Sequence, residues 1–161
     1  MVGTVTGTDV DRTNEVGFVE FMREAEPRLR RAFIAAYGVD RGREAVAEAL
    51  AYAWENWDRL QSVQNRAGYL YRVGQSRTRR FRTRPLFDRP DQSDYQFEPT
   101  LAQSLADLSE RQRLAVVLVH GYGWTMREVS ELTGIKVTTV QSHIERGLRK
   151  LRAVLEVTSH G

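Results

Sequence analysis

The sequence predicts an all-α protein made of two small helical domains joined by a flexible linker. Apolar residues recur at steps of three and four in several stretches, whereas no stretch alternates convincingly with a period of two. Two basic blocks flank an acidic, proline-bearing segment. A chain of 161 residues accommodates one domain or two of roughly 60–80 residues each, and the charge pattern favours two.

The first helical domain is predicted over residues 15–83, after a flexible N-terminal tail at 1–14 that shows no hydrophobic period. Its first helix covers 16–36. Pro27 is expected to kink or divide this helix, and Gly38 is expected to stop it.

Two further helices are predicted in this domain. Residues 42–57 are rich in alanine and carry large apolar side chains on one side. Asn65 is a good N-cap for a third helix that runs to about Arg82.

Residues 84–106 are predicted to be an acidic linker with little structure, because three prolines occur among Asp, Ser, Gln and Thr. A short helix is expected near Leu101–Leu105. The second domain is predicted over 107–157, with a tail at 158–161. Ser109 is expected to cap its first helix, which runs to about His120.

A short helix, a glycine-bearing turn and a longer helix follow, in the helix–turn–helix pattern. Thr125 and Glu128 have capping-box spacing, Gly134 supplies the turn, and the long helix starts at Val137. Apolar residues are available where the helices cross: Val129, Leu132, Ile135, Val140 and Ile144. The alternative is an ordinary helical hairpin within a core.

The outer face of the long helix is polar, as base recognition in a DNA groove requires. Its polar residues are Thr138, Thr139, Gln141, Ser142, His143, Glu145 and Arg146. Arg127 and Lys136 lie where phosphates could be held. His143 is expected to face outwards.

The net charge of +3 conceals a segregation. Residues 61–90 carry 8 basic and 1 acidic side chains, whereas residues 91–110 carry 5 acidic and no basic ones. Of the 24 basic residues 22 are arginine, which suits phosphate contact but also follows from a GC-rich genome. The arginine run at 77–84 favours nucleic-acid binding over a merely solvated face.

Several classes of protein are excluded or disfavoured. The chain has no cysteine, so it has no disulfide, thiolate zinc finger or cysteine nucleophile. Its longest purely apolar run has six residues, Leu114 to Val119, against roughly 20 for a membrane span. The N-terminus has no secretory signal pattern. We therefore expect a cytoplasmic protein without membrane insertion.

The three histidines, His120, His143 and His160, are not spaced as metal ligands. The sequence also shows no phosphate-cradling glycine loop and no nucleophile–base arrangement. The sequence therefore predicts a protein that is not an enzyme, with no cofactor, no metal and no small-molecule substrate.

Two blocks of sequence resemble one family. Residues 107–152, which include GIKVTTVQSHIERGLRKLR, resemble region 4 of sigma-70 family factors, and most closely the short extracytoplasmic-function (ECF) group. REAVAEALAYAWENW at 43–57 and YLYRVGQSRTRR at 69–80 resemble region 2 of that group. Order, spacing and the lack of other domains fit the resemblance.

The resemblance implies a bacterial transcription initiation factor that binds core RNA polymerase and directs it to promoters. In this family, region 2 binds the polymerase clamp and opens the −10 element, while region 4 binds the flap and reads the −35 element. An anti-sigma protein is implied as a partner by analogy. The alternative is a sigma-like regulator that binds DNA or protein without initiating.

The resemblance also implies roles for individual residues. The polymerase-binding residues are Glu44, Glu48 and Trp54. Those at the −10 element are Asn65, Arg66, Tyr69, Arg72, Gln75, Ser76, Arg77, Arg79 and Arg80. Those at the −35 element are Arg127, Lys136, Thr138, Thr139, Gln141, Ser142, His143 and Arg146. Plainer roles stay open: a solvated face for the two glutamates, and packing for Trp54 and Tyr69.

Several positions depart from the family pattern. Tyr69 replaces the usual tryptophan, and the acidic pair at the start of the region 2 helix is thinned to Arg43-Glu44. Ser76 stands where asparagine is frequent, and Gln141 and His143 stand where lysine and arginine are frequent. Lys136 replaces a common serine cap, so the long helix begins with a weaker cap. Fewer charged contacts to the −35 element are expected, although glutamine can still pair with adenine.

Overall fold

The computed structural model describes residues 7–80 and 99–159. All regular elements in these two ranges are helices, which confirms the all-α fold class. The N-terminal half contains α1 (Gly7–Tyr37), α2 (Val39–Glu55), α3 (Trp57–Leu60) and α4 (Arg66–Arg80). The C-terminal half contains α5 (Pro99–Ala106), α6 (Glu110–Val116), a π-helical turn (Val117–Gly121), α7 (Met126–Thr133) and α8 (Val137–Ser159). None of these helices is long and apolar enough to cross a membrane.

α1 is longer than predicted. It begins at Gly7, so residues 7–14, which were expected in a flexible tail, are helical. Pro27 lies inside α1 and does not divide it. Ala25 and Leu29, two residues before and after the proline, are buried. Tertiary packing of this side of α1 stabilises the helix despite the hydrogen bond that proline cannot make.

α1 ends where the sequence predicts, and α2 follows at once. Gly38 has a φ of 84°, which glycine adopts without a steric penalty, and its N–H donates to the Ile34 carbonyl at 2.8 Å. A Cβ on Gly42 would lie 2.8 Å from the Ile34 Cα. The two helices therefore approach at a distance that only glycine permits.

α4 packs across α1 and α2 and completes the N-terminal core. The rings of Phe33 and Tyr71 stack with centroids 4.9 Å apart, and both side chains are almost fully buried. Asn65 caps α4 as predicted, because its Oδ1 accepts the Gly68 N–H at 3.0 Å. The expected helix end near Arg82 lies outside the described residues.

α6 begins with the predicted Ser109 cap. Ser109 Oγ accepts the Gln112 N–H at 3.2 Å, and Gln112 Oε1 accepts the Ser109 N–H at 3.3 Å. The helix predicted to run to His120 leaves α-geometry after Val116 and widens into the π-helical turn.

Part of the segment predicted as linker belongs to the C-terminal half. α5 packs on α8 and buries Ala102 and Leu105, because these apolar residues recur at a helical step. Residues 84–98 of the predicted linker lie outside the described part of the chain.

The two halves pack against each other, α1 on α6 and α4 on α7. Arg113 of α6 is fully buried, and its Nη2 donates to the Ala36 carbonyl near the end of α1 at 2.8 Å. The buried residues of both halves form one continuous cluster. The sequence predicted two domains but not this contact between them.

Candidate nucleic-acid interface

α7, the turn at Gly134 and α8 form the predicted helix–turn–helix. Thr125 Oγ1 accepts the Glu128 N–H at 3.1 Å, and Glu128 Oε2 accepts the Thr125 N–H at 2.8 Å. This capping box fixes the start of α7. Gly134 ends α7 with a φ of 75°, in the left-handed conformation that the turn requires.

A buried seam holds the two helices in place. Val129, Leu132 and Val140 are each 1% exposed, and Ile144 is 4% exposed. Ile135 packs partly buried against them. These are the residues predicted at the helix crossing, and their burial turns the opposite side of α8 towards solvent.

The outward side of the helix–turn–helix carries most of the residues predicted for the −35 element. Those that are exposed are Arg127, Lys136, Thr138, Gln141, Ser142 and Arg146, and Thr139 is half-buried. Gln141 Nε2 donates to Glu145 Oε1 at 3.2 Å. A polar, solvent-facing helix on a rigid apolar seam is the arrangement that enters a DNA groove.

His143 is placed differently from its neighbours. Both of its ring nitrogens are shielded from solvent and have no hydrogen-bond partner within the described ranges, whereas the sequence predicted an outward orientation. Burial lowers the pKa of His143 below its ordinary value of 6.5, and the positive charges of Arg111 and Arg146 lower the pKa further.

One group of the residues predicted for the −10 element touches the C-terminal half. Asn65 Nδ2 donates to the Glu131 carbonyl at 2.6 Å. Arg72 Nη1 lies 3.3 Å from the point that a Cβ on Gly134 would occupy. Gln75 Nε2 lies 3.4 Å from Glu110 Oε1. Asn65, the cap of α4, and Arg72 and Gln75 of α4 are seven and three positions apart, so they share one face of the helix.

A second group is held within the N-terminal half. Arg66 donates to the carbonyls of Leu60 at 3.0 Å and Gln61 at 2.9 Å, and its guanidinium lies over the Trp57 ring. These contacts close the turn between α3 and α4. Ser76 is exposed, and the side chains of Arg79 and Arg80 lie outside the described part.

Two more predicted DNA contacts of α4 are engaged with α2. The hydroxyls of Tyr69 and Tyr52 are 3.0 Å apart, and this hydrogen bond, aided by burial, raises the pKa of Tyr52. Arg77 Nη1 lies 2.8 Å from Glu48 Oε2, with its guanidinium over the Tyr52 ring. A residue predicted for polymerase, Glu48, is therefore paired with one predicted for DNA.

Comparison with known proteins decides the family. A family model of sigma-70 region 4 matches residues 100–151. A curated relative, the ECF RNA polymerase sigma factor EcfG of Rhodopseudomonas palustris (strain TIE-1), is 30% identical over an alignment of 149 residues, and the match covers 83% of this chain and 82% of the relative. The chain belongs to the ECF group of RNA polymerase sigma factors. This confirms the predicted function as a transcription initiation subunit that works with core polymerase and promoter DNA.

The fold of the sigma factor has a solved counterpart. The structure of the sigma factor RpoE in complex with the anti-sigma factor NepR from Bartonella quintana matches with a TM-score of 0.60 at 20% identity. The match covers 88% of this chain and 98% of that one. At this identity the likeness concerns the fold alone.

The residues predicted to bind polymerase lie along α2 of the sigma factor. Glu44 is exposed, and Glu48 pairs with Arg77. Trp54 is 58% exposed, and the centroids of the Trp54 and Phe18 rings are 5.1 Å apart in a T-shaped arrangement. Beside it lies a groove of about 470 Å³. The charged residues that line this groove are Asp11, Glu15, Glu55, Asp58 and Arg59.

Sequence reasoning missed a second groove, of about 540 Å³, where α3 turns into α4. Amide and hydroxyl side chains and the guanidinium of Arg66 line it, and Phe21 forms one wall. The uncharged polar residues are Gln61, Ser62, Gln64 and Asn65. The run QSVQN directly before a helix was the signal that could have indicated this groove.

Proposed function

We propose that this sigma factor reads the two promoter elements with separate helical surfaces, α8 for the −35 element and α4 with its adjoining groove for the −10 element. The observation that carries the proposal is the exposed polar face of α8. That face stands on a helix–turn–helix whose crossing residues are almost completely buried. Rigid support of this kind holds base-reading side chains in register with a DNA groove.

At the −35 element, Gln141 is the main candidate for base recognition. Its amide presents a donor and an acceptor together, which suits the N6 and N7 positions of adenine in the major groove. Arg127 at the start of α7 and Lys136 just before α8 are exposed, and they suit phosphate contacts that fix the docking angle. His143 is assigned to the support of α8 because its ring nitrogens do not reach solvent.

At the −10 element, the groove between α3 and α4 suits an unpaired base. Gln61, Ser62 and Gln64 offer donors and acceptors to a base edge, and the Phe21 ring offers an apolar wall. Exposed Ser76 lies further along α4. Tyr69 is half-buried and its hydroxyl is held by Tyr52, which supports packing rather than stacking on DNA.

Core polymerase is proposed to dock on the groove beside Trp54. Four carboxylates and one guanidinium line this groove, so a basic surface on the partner complements it. An exposed tryptophan next to such a groove is a typical anchor of a protein interface. Glu44 extends the acidic surface along α2.

The proposal assigns no catalytic group to this chain, since polymerase supplies the chemistry of RNA synthesis. It therefore requires no cofactor, no metal and no small-molecule substrate, and it places the sigma factor in the cytoplasm with polymerase. An anti-sigma partner belongs to the proposal, supported by the complex in which the Bartonella sigma factor was solved.

Run-off transcription by reconstituted holoenzyme, on a template library with randomised −35 and −10 elements, tests the proposal. We expect a preferred sequence to emerge at both elements. Gln141→Ala should change the preference at the −35 element and leave that at the −10 element intact. Transcription no higher than that of core polymerase alone would overturn the proposal, and an unchanged −35 preference would overturn the role of Gln141.

A further inference from the structure

The first turns of α1, which the sequence predicted to be a tail, reach the turn between α3 and α4. Phe18 and Phe21 pack against the Trp57 ring, with ring centroids 5.4 and 5.5 Å from that of Trp57, and Trp57 is 7% exposed. Asn14 precedes the two phenylalanines by four and seven positions, so the three side chains share one face of α1. This packing fixes the place of Asn14 beside α3.

Asn14 joins two residues of the α3 region in a chain of hydrogen bonds. Its Nδ2 donates to Asp58 Oδ1 at 3.1 Å, and its Oδ1 accepts from Gln61 Nε2 at 3.1 Å. Asp58 sets the direction of this chain, because an ionised carboxylate only accepts hydrogen bonds. Asn14 therefore turns its amide nitrogen to Asp58 and its carbonyl oxygen to Gln61, and Gln61 has to donate.

Gln61 lines the groove between α3 and α4, and its amide can present either oxygen or nitrogen to a ligand. The bond to Asn14 engages the nitrogen and leaves Oε1 for the groove. The backbone of Gln61 is held as well, because its N–H donates to the Trp57 carbonyl at 3.1 Å and its carbonyl accepts from Arg66 Nη2 at 2.9 Å. The oxygen is thus a positioned acceptor.

Two neighbouring side chains of the groove are also committed in one direction. Ser62 Oγ donates its hydrogen to the Arg59 carbonyl at 2.9 Å, so the oxygen retains only lone pairs for a ligand. Asn65 Oδ1 accepts the Gly68 N–H, and Asn65 Nδ2 donates to the Glu131 carbonyl. Ser62 therefore adds a second acceptor, whereas the Asn65 amide is engaged at both ends.

Two further side chains complete the polar lining of the groove. Gln64 is exposed and can present either end of its amide. Arg66 donates through Nε and Nη2 to two backbone carbonyls, and its guanidinium lies 5.8 Å from the centroid of the Phe21 ring. Its charge suits the phosphate of a bound nucleotide. The groups with a fixed direction, Gln61 and Ser62, both present acceptors.

We propose that Asn14 is a positioning residue for −10 recognition, which turns the Gln61 carbonyl oxygen to the groove and so selects a base with an amino group. The proposal rests on the proposed function, which assigns this groove to an unpaired base. Adenine and cytosine carry an amino group at N6 and N4, whereas guanine and thymine carry a carbonyl oxygen, O6 or O4, in the same place. Two acceptors attract the amino group and repel the carbonyl oxygen.

Selection of bound DNA by reconstituted holoenzyme measures this preference. The −10 element is left unpaired in the duplex, and one strand at a time is randomised, so that a base is distinguished from its complement. Gln61→Ala identifies the strand and the position that the groove reads, because the preference changes there. At this position we expect adenine and cytosine to be enriched about 2- to 10-fold over guanine and thymine, the range of one neutral hydrogen bond.

Asp58→Asn should bring this enrichment down towards one, because an amide at position 58 donates as well as accepts and lets Asn14 turn either way. Asn14→Asp combined with Asp58→Asn exchanges the two groups at unchanged net charge. The carboxylate then lies at position 14 and accepts from Gln61, so the enrichment should return to that of the natural protein.

Glu55→Gln is the matched control for Asp58→Asn. Glu55 and Asp58 line the same groove beside Trp54, and among the described contacts Glu55 makes no hydrogen bond to Asn14. A loss of polymerase affinity caused by the missing carboxylate is common to both variants, so base preference separates them. Circular dichroism establishes that each variant is folded. Asn14→Ala, which should lower the enrichment as Asp58→Asn does, keeps the test valid if the exchange variant unfolds.

Nuclear magnetic resonance of the free protein tests the hydrogen bond without DNA or polymerase. The side-chain amide signals of Gln61 are identified by their absence in Gln61→Ala. They should shift in Asn14→Ala and in Asp58→Asn and keep their positions in Glu55→Gln. Signals that do not respond to Asn14→Ala would overturn the positioning role.

Three outcomes of the DNA selection have different meanings. Enrichment of guanine or thymine at the position read by Gln61, or equal enrichment in the natural protein and Asp58→Asn, would overturn the selection of an amino group. A folded exchange variant that behaves like Asp58→Asn would overturn the role of Asn14. The absence of any base preference at the −10 element would instead contradict the proposed function, while the resonance measurement still reports on Asn14.

Discussion

α4 and α8 were both predicted to read promoter DNA, yet their polar faces differ in how far they are exposed to solvent. α8 turns its polar residues to solvent, whereas α4 has one row of polar residues against the C-terminal half and another engaged with α2 and α3. Both helices carry the same kind of local pattern. The difference shows that a pattern predicts which residues share a face, while contacts distant in sequence decide whether that face is free.

The largest expected effect comes from the residue that supports both surfaces. Leu132 of α7 is 1% exposed and lies in the seam under α8, while α7 also covers α4. Leu132→Ala should lower the free energy of unfolding by about 2–5 kcal/mol, as large cavities in cores do. Urea denaturation measures this change.

Glu131→Ala is the control for that cavity. Its side chain is exposed, and the substitution retains the backbone carbonyl that accepts from Asn65. We expect a change within about 0.5 kcal/mol. Equal losses of unfolding free energy in Leu132→Ala and Glu131→Ala would show that the buried side of α7 does not support α8 and α4.

A second prediction separates base reading from phosphate contact on α8. Gln141→Ala should reduce discrimination between −35 sequences by about 1–3 kcal/mol, if a bidentate contact to a base is lost. Arg146→Gln should weaken binding similarly for all sequences and reduce the salt dependence by about one charge. Competition binding of reconstituted holoenzyme at several salt concentrations distinguishes the two outcomes. Identical behaviour of both variants would contradict the assignment of Gln141 to bases.

A third prediction separates the two roles of Asn65. Asn65→Asp retains the acceptor that caps α4 but removes the amide donor to the Glu131 carbonyl. Asn65→Ala removes both, and the lost cap should cost about 1 kcal/mol of unfolding free energy. We expect Asn65→Asp to keep near-normal stability while the distance between the halves broadens. Urea denaturation measures the stability. Spin labels on Ala51→Cys of α2 and Arg149→Cys of α8, two exposed positions in a chain without cysteine, measure the distance between the halves.

Local features were predicted well from the sequence because each depends on neighbours within one turn. The caps at Asn65, Ser109 and Thr125, and the left-handed turns at Gly38 and Gly134, all lie where the residue types require them. The seam of the helix–turn–helix follows in the same way from a three- and four-residue spacing.

The contacts missed by sequence reasoning join residues far apart in the chain. Arg113 was counted among basic residues that favour DNA, yet it is fully buried 77 positions from its acceptor Ala36. Arg66 and Arg77 were counted likewise and are engaged in contacts with α2 and α3. A charge count records the guanidinium but not its neighbour, so free and occupied arginines look alike in a sequence.

The smallest expected effect is a pH dependence at His143 of α8, whose two ring nitrogens are shielded from solvent. Its folded pKa is lowered below 6.5 by burial and by Arg111 and Arg146. Below about pH 6.5 the unfolded chain therefore binds more protons than the folded one, and stability falls as pH falls. Acidification from about pH 7.5 to about pH 5.5 spans this titration, and it should destabilise the natural protein slightly more than His143→Gln. His120→Gln, at an exposed position, should retain the natural dependence. Urea denaturation at the two pH values measures the free energy of unfolding of each variant. Equal losses of this free energy in the natural protein and in His143→Gln would place the imidazole in contact with solvent. The polar side of α8 would then be exposed along its whole length, in contrast to that of α4.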